Sequence, residues 1–325
     1  TACCQGVVGL AGWRARGPAR GDEPTAPGKT LGSILNGPGS PNSARAAARP
    51  DSLNSYPRPG DLELVPTEFS ADGLSGRFVV KRRICRPDGA LYGGCAIAAA
   101  ITAMEVATDS PILWATTQFV ASPREETPID LVTTIHAAGK RIKQVHVNAF
   151  DPSGNVMFST MGSTAIPREN GIVGQFQTMP NVPGPDEAEP FMFAPPGMEL
   201  KIDFFASLVE HRKVDLKPDE ERAKGAMAMW ARLSTRQPPT PAAIAFLADM
   251  APTSIPSGLG KRGGGISLDN SMRFGPDADT EWVLLEIHGH LAIGGYGHCS
   301  VHAWSQDGVL VGYGGQSSNV LHIFD

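Results

Sequence analysis

The order of apolar and polar positions gives one plan, written twice. Residues 95–107 are dominated by Ala, Ile and Met, with no glycine or proline among them. The run is too long for a strand and predicts a helix buried on all sides. Strand-like segments precede it at 62–69 and 76–84. Four more follow at 112–120, 129–136, 143–150 and 156–164, the last two separated by the turn signal Asp151-Pro152-Ser153-Gly154. Residues 167–197, rich in proline and polar residues, read as a linker. The plan then returns: strands at 200–207 and 226–233, an apolar helix at 240–251, and strands at 266–274, 282–290, 298–304 and 309–313. Thr240 is placed to cap the second helix, with Pro241 at its first position. The copies also match residue for residue. Val147-Asn148-Ala149-Phe150-Asp151 aligns with Val301-His302-Ala303-Trp304-Ser305 at an offset of 154, and Phe119 aligns with Phe274 at 155. A buried helix beside a long antiparallel sheet predicts an α+β fold of two tandem lobes, each a sheet wrapped around its helix.

Composition changes that picture at one end. Residues 11–60 hold 8 Gly, 8 Pro and 5 Ser, with no Val or Phe and a single Ile, Ile34. Such a stretch buries too little apolar surface to offset the entropy of ordering it. The expected organisation is a disordered extension over 1–60, an N-terminal lobe over 61–166, the linker over 167–197 and a C-terminal lobe over 198–325. A chain starting near Pro59 is expected to fold. The extension is either natural or translated upstream sequence, and the short apolar run after Gly6 has no basic residue before it, so a secretory signal is not expected.

A net charge of −5 argues against nucleic acid as a partner, and no apolar run is long enough for a membrane span. Five scattered cysteines give neither a disulfide framework nor zinc spacing, which fits a reducing, cytoplasmic setting. There is no Gly-x-Ser-x-Gly elbow, Walker loop or dinucleotide fingerprint. His288, His290, His298 and His302 gather in the last strands. His288 with His290, and His298 with His302, would each share a strand face, which makes a metal site conceivable; with no accompanying acidic pattern they read as strand histidines, and no metal or cofactor is expected.

Asp249 carries the most information. From Ala242 to Ala251 every other residue is apolar, so no rotation of the helix gives it a polar face. Burial, and a position near the helix C-terminus, should both raise its pKa and prepare it as a base. Ser267 and Asp269, two apart on a strand, are expected on one face. Gln316 lies in the Gly-rich segment after the last expected strand, and its counterpart at the 154 offset is Gly162.

Leu91-Tyr92-Gly93-Gly94, Thr117-Gln118-Phe119, Leu247-Ala248-Asp249, Ile266-Ser267-Leu268-Asp269, Gln306-Asp307-Gly308-Val309-Leu310 and Gln316 together resemble the double hotdog acyl-CoA thioesterases of the acyl-CoA thioesterase II type, over residues 62–325. The resemblance implies hydrolysis of acyl-CoA thioesters, and of simple activated esters, by a water held between an Asp, a Ser or Thr, and a Gln. These become Asp249, Ser267 and Gln316, one competent site per chain. Gly93, Gly94 and the N–H groups opening the first helix, through Cys95, are candidate oxyanion donors. Lys140, Arg141, Lys143, Lys261 and Arg262 are candidates for the CoA phosphates. A hotdog dehydratase or hydratase, and a non-catalytic acyl-binding protein, are the alternatives. A homodimer or higher oligomer is left open.

Overall fold

The computed structural model describes residues 55–58, 60–191, 203–216 and 225–324. The extension expected to be disordered lies outside them up to residue 54. The first elements among the described residues are a single helical turn, α1 (Asp61–Leu64), and the short strands β1 (Glu68–Phe69) and β2 (Ser75–Val79). The long helix α2 (Gly93–Thr108) comes next. After it run β3 (Ile112–Phe119), β4 (Pro128–Ala138), β5 (Ile142–Phe150) and β6 (Val156–Ala165). The second half holds β7 (Glu189–Phe191), β8 (Val209–Val214), β9 (Ala226–Leu233), α3 (Pro241–Ala248), α4 (Ser254–Gly258), β10 (Arg262–Ser267), β11 (Asp269–Phe274), β12 (Val283–Ile293), β13 (Tyr296–Ser305) and β14 (Leu310–Phe324).

All strands join one antiparallel sheet in the order β1-β2-β4-β5-β6-β3-β11-β14-β13-β12-β9-β8-β7, with β10 also on β14. Read outward from the middle, β3-β6-β5-β4-β2 mirrors β11-β14-β13-β12-β9. Thr116 pairs with Ser271 across the central β3–β11 seam, and their hydroxyls lie 2.8 Å apart. These residues are equivalents at the offset of 155, so the local two-fold passes through their pair. The repeat extends to register: Val145 faces Gly162 in the first half, and Cys299 faces Gln316 in the second. The two hairpin turns match as well, with Gly154 at φ 80° and Gly308 at φ 77°. This is a double hotdog: two sheets fused at their edges around two helices.

Both helices are buried all round, and α2 and α3 share one apolar core with the inner faces of the strands. Ala and Ile fit there because small side chains let the sheet close on the helix. Thr240 caps α3 as expected, accepting from the Ala243 N–H at 3.1 Å, and also donates to Asp61.

Four expectations are corrected. The segment 62–69 is a helical turn followed by two strand residues, because Asp61 turns inward to meet Thr240 and the Arg58 N–H. The segment 76–84 ends as a strand at Val79 and closes in a 3-10 turn. At 200–207, residues 200–202 lie outside the described residues and Phe205–Leu208 is a 3-10 turn; the strand is β8, which the expected plan lacked. The fourth is the starting point. Arg58 is 3% exposed and pairs with Glu105 of α2 at 2.9 Å; Glu105 in turn accepts the Ile112 N–H. The Arg58 side chain is therefore part of the core, and a chain cut at Pro59 removes the cation that pairs with a buried carboxylate.

Candidate active site

The N-terminus of α2 abuts the C-terminus of α3, and two glycines allow the approach. A Cβ on Gly94 would stand 2.6 Å from the Phe246 carbonyl oxygen, and one on Gly93 would stand 2.7 Å from Asp249 Oδ2. Tyr92 locks the junction. Its hydroxyl donates to the Phe246 carbonyl, its ring stacks on Phe205 at 3.9 Å, and it meets Phe246 edge-on.

Asp249 terminates α3 and is 5% exposed. Its carboxylate accepts from the Gly94 N–H, from Asn270 Nδ2 at 3.1 Å and from Ser267 Oγ at 3.3 Å. Burial dominates and pushes its pKa up to about 7, against the pull of those three donors. The C-terminal end of α3 disfavours its charge as the sequence implies. The N-terminal end of α2, a few ångströms away, works in the opposite direction.

Asn270 was not singled out in the sequence. It is 2% exposed and donates both to Asp249 and to Gln316 Oε1, at 2.7 Å. The reason it was missed is a β-bulge. Ser267 pairs with Ser318 while Ser271 pairs with Gly315, so four steps along β10–β11 answer three along β14. The alternation flips at Leu268. Asn270 takes the inner face, and Asp269, expected beside Ser267, turns instead to accept the Ser317 N–H at 2.7 Å.

Gln316 also departs from expectation. It is a mid-strand residue of β14, not a loop residue, because its Gly/Ser-rich segment is paired with β13 on one side and β10–β11 on the other. It is 5% exposed, and its Nε2 has no hydrogen-bond partner among the described residues. It reaches Asp249 through Asn270. At the equivalent place in the first half, Gly162 lies against the Met104 sulfur, and the corresponding polar group is missing.

A cleft of about 500 Å³, counting its open mouth, runs alongside. Leu91, Tyr92, Phe119, Phe158 and Ile266 give it apolar walls, with Gly93, Asp249 and Ser267 among its polar positions; Gln316 is not in its wall. The Gly94 N–H donates to Asp249 and the Cys95 N–H to the Tyr92 carbonyl. Of the three expected oxyanion donors, Gly93 is the one that lines the cleft.

The expected phosphate contacts do not converge here. Lys140 and Arg141 sit in the β4–β5 turn, exposed. Lys143 donates to the Thr108 carbonyl and Ser110 at the C-terminal end of α2. That end is roughly 24 Å from the site at 1.5 Å per residue. Lys261 and Arg262 stand at the opposite end of β10 from Ser267, roughly 16 Å along the strand. The cation that does line the cleft is Arg86, which pairs with Asp88 at 2.8 Å.

A pseudo-two-fold pair of helix-wrapping sheets, with a buried carboxylate where the helices meet, defines a hotdog-fold enzyme. Residues 83–165 match the family of acyl-CoA thioesterase N-terminal domains, and 184–320 the family of acyl-CoA thioesterase C-terminal domains. The chain belongs to this acyl-CoA thioesterase family, and its reaction class is thioester hydrolysis. Solved structures share the fold. A protein provisionally named a thioesterase from Novosphingobium aromaticivorans is 24% identical with a TM-score of 0.70, covering 78% of this chain and 98% of its own. The acyl-CoA thioesterase II TesB2 of Mycobacterium marinum is 21% identical with a TM-score of 0.62, covering 81% and 97%. The tesB protein of Mycobacterium avium subsp. paratuberculosis is 18% identical with a TM-score of 0.64, covering 83% and 100%. No curated protein matches the sequence. No helix among the described residues is long and apolar enough to cross a membrane.

Proposed function

We propose that this protein hydrolyses acyl-CoA by direct attack of a water activated at Asp249, with the acyl chain in the cleft between Phe119, Phe158 and Ile266. The observation that carries the reading is the Asp249 carboxylate itself: buried, in the cleft wall, and with a pKa of about 7, close to where a general base works best. Ser267 donates to Oδ1 and keeps its oxygen lone pairs for the water. Gln316 acts one step back. By accepting from Asn270 it fixes the amide that holds Oδ1, so it positions the base. The thioester carbonyl, placed against the Gly93 N–H, would receive a hydrogen bond as charge develops on its oxygen. Water adds to the carbonyl carbon while Asp249 takes its proton. Collapse then breaks the C–S bond, and the proton passes to the departing thiolate, giving free acid and CoA thiol. Arg86 is the cation available to an anionic substrate in the cleft.

Hydrolysis is tested by mixing the protein with a panel of acyl-CoAs and a thiol reagent. Release of free CoA thiol supports the reading. Water loss or gain without thiol release would instead select the dehydratase or hydratase, and binding without turnover the acyl carrier. The first of these wants an imidazole beside the carboxylate, and no histidine lines the cleft among the described residues. The lobe boundaries consistent with the strand order are 61–166 and 198–325, with 167–197 as the connection that adds β7 to the outer edge. A reducing, cytoplasmic setting fits three buried free thiols, Cys85, Cys95 and Cys299, whose pKa values burial raises, that of Cys299 to about 12.

A further inference from the structure

The histidines of the last strands form a cluster that the hydrolytic site does not use. In β12 and β13, Leu285, Ile287, Val301 and Ala303 face the core and are at most 2% exposed. Period two therefore turns Glu286, His288 and His302 to the outer face of the sheet. Glu286 and His302 are directly opposite in the register, and His288 follows two residues along. One ligand atom from each of the three lies within 4.8 Å of the other two.

We propose that Glu286, His288 and His302 form a binding site for a first-row divalent transition metal, with Zn²⁺ as the representative ion. Two imidazoles and one carboxylate on one face are a donor set suited to such ions and unsuited to Mg²⁺ or Ca²⁺, which take oxygen ligands. The surroundings are those of a prepared site. Trp304 Nε1 donates to Glu286 Oε2 at 3.0 Å, leaving Oε1 to face His288 Nε2 at 2.9 Å. An indole N–H holding a carboxylate in this way orients a ligand from outside its coordination sphere. The His302 ring lies between Trp304 at 6.0 Å and Tyr313 at 6.3 Å, roughly parallel to both. Its Nδ1 is buried with no hydrogen-bond partner. On binding, the metal takes the place of the proton between Glu286 and His288, and His288 keeps its proton on Nδ1. The sequence hid this site in two ways. Its pairing of His288 with His290, and of His298 with His302, followed single strands, whereas the cluster crosses from β12 to β13. The acidic ligand is Glu286, separated from His288 by one core residue.

The test is calorimetric titration of ZnCl₂ into the full chain freed of metal by a chelator, read together with thermal unfolding. One site per chain and a rise in Tm with Zn²⁺ are expected. Glu286→Gln and His302→Asn should each weaken binding at least 10-fold and abolish the rise, while His290→Asn and His298→Asn should change neither. Unfolding of each variant without metal separates lost ligation from lost fold, and His288→Asn gives a second ligand deletion if one variant is unstable. The absence of saturable binding would overturn the proposal. So would binding that survives loss of His302, His288 and Glu286, or that depends on His290 instead.

Discussion

Replacing Asp249 by Asn separates the two consequences of burying a carboxylate where the helices meet. The raised pKa, from 3.8 to about 7, corresponds to about 4 kcal/mol of penalty on the ionised form. Between those values the native chain holds a proton that the unfolded chain releases. Stability therefore falls as pH rises through that window, and the full penalty is present above pH 7. Asparagine has no charge to lose. Its single acceptor oxygen cannot satisfy Gly94, Asn270 and Ser267 together, which returns part of the gain, so a net stabilisation of about 1–3 kcal/mol is expected at pH 8. It should shrink to nothing near pH 4. Urea unfolding of both proteins at pH 4, 6 and 8 measures this. Turnover should move the other way, with kcat reduced about 10²–10⁴-fold, or about 3–5 kcal/mol of barrier. KM should change little, because the carboxylate acts on the water and not on the acyl chain. Asp269→Asn, which alters only a bond to the Ser317 N–H, is the control. Near-normal turnover in Asp249→Asn with collapse in Asp269→Asn would refute the assignment. An unchanged pH slope of stability would refute the buried charge.

For the wild type, kcat/KM should rise through about pH 7 and level off above it, as the base ionises. Asn270→Ala removes a donor to that carboxylate and should displace the rise to higher pH; a rise that stays in place would show that Asn270 does not reach the base. Ser267→Ala and Gln316→Ala should each cost less kcat than Asp249→Asn and add little to it, since residues acting as one unit are non-additive. Gly94→Ala forces a methyl against the Phe246 carbonyl and should destabilise the fold by about 1–3 kcal/mol, read as a fall in Tm. A chain starting at Ser55 should match the full chain in Tm, whereas one starting at Pro59 leaves Glu105 without its Arg58 partner and should lose about 3–5 kcal/mol; equal Tm values for the two would remove Arg58 from the core account.

The architecture was legible because its two periods are unambiguous. An Ala/Ile run too long for a strand and the alternating segments after it give the helix and four strands directly, and the 154-residue offset states that the plan recurs. What the sequence concealed was decided by contacts between distant segments. Residues 62–69 alternate well enough for a strand, yet Asp61 is drawn to the cap of α3, 179 positions away. Strand β8, Val-Glu-His-Arg-Lys-Val, carries too many charges to read as sheet, and it is held because β9 and β7 pair with it on either side. The run from Gly314 to Ser318 has none of the branched residues that mark a strand. It forms one because its neighbours on both sides offer unpaired backbone.

The site follows the same division. Asp249 could be found from local pattern alone, since a lone charge on a helix with no polar face has nowhere to go but inward. Asn270 could not, because a bulge breaks the rule that residues two apart share a face. The bulge itself is common to both halves: in the first, Ile112 faces Thr164 and Trp114 faces Ser163, so Leu113 is its extra residue. The two-fold through Thr116 and Ser271 would build the same junction twice if the halves were equal. The halves differ in side chains: in the second, Asn270 bridges Asp249 and Gln316, and its counterpart at the offset of 155 is Ala115. In the first half the position of Gln316 is Gly162, and the Met104 sulfur would stand 2.9 Å from any Cβ placed there. Gly162→Gln should therefore destabilise the chain without creating a second centre, because the methionine occupies the space and the buried carboxylate of that half, Glu105, is already held by Arg58 and the Ile112 N–H. A measured doubling of kcat in that variant would mean that the lobes are closer to functional equivalence than their packing allows.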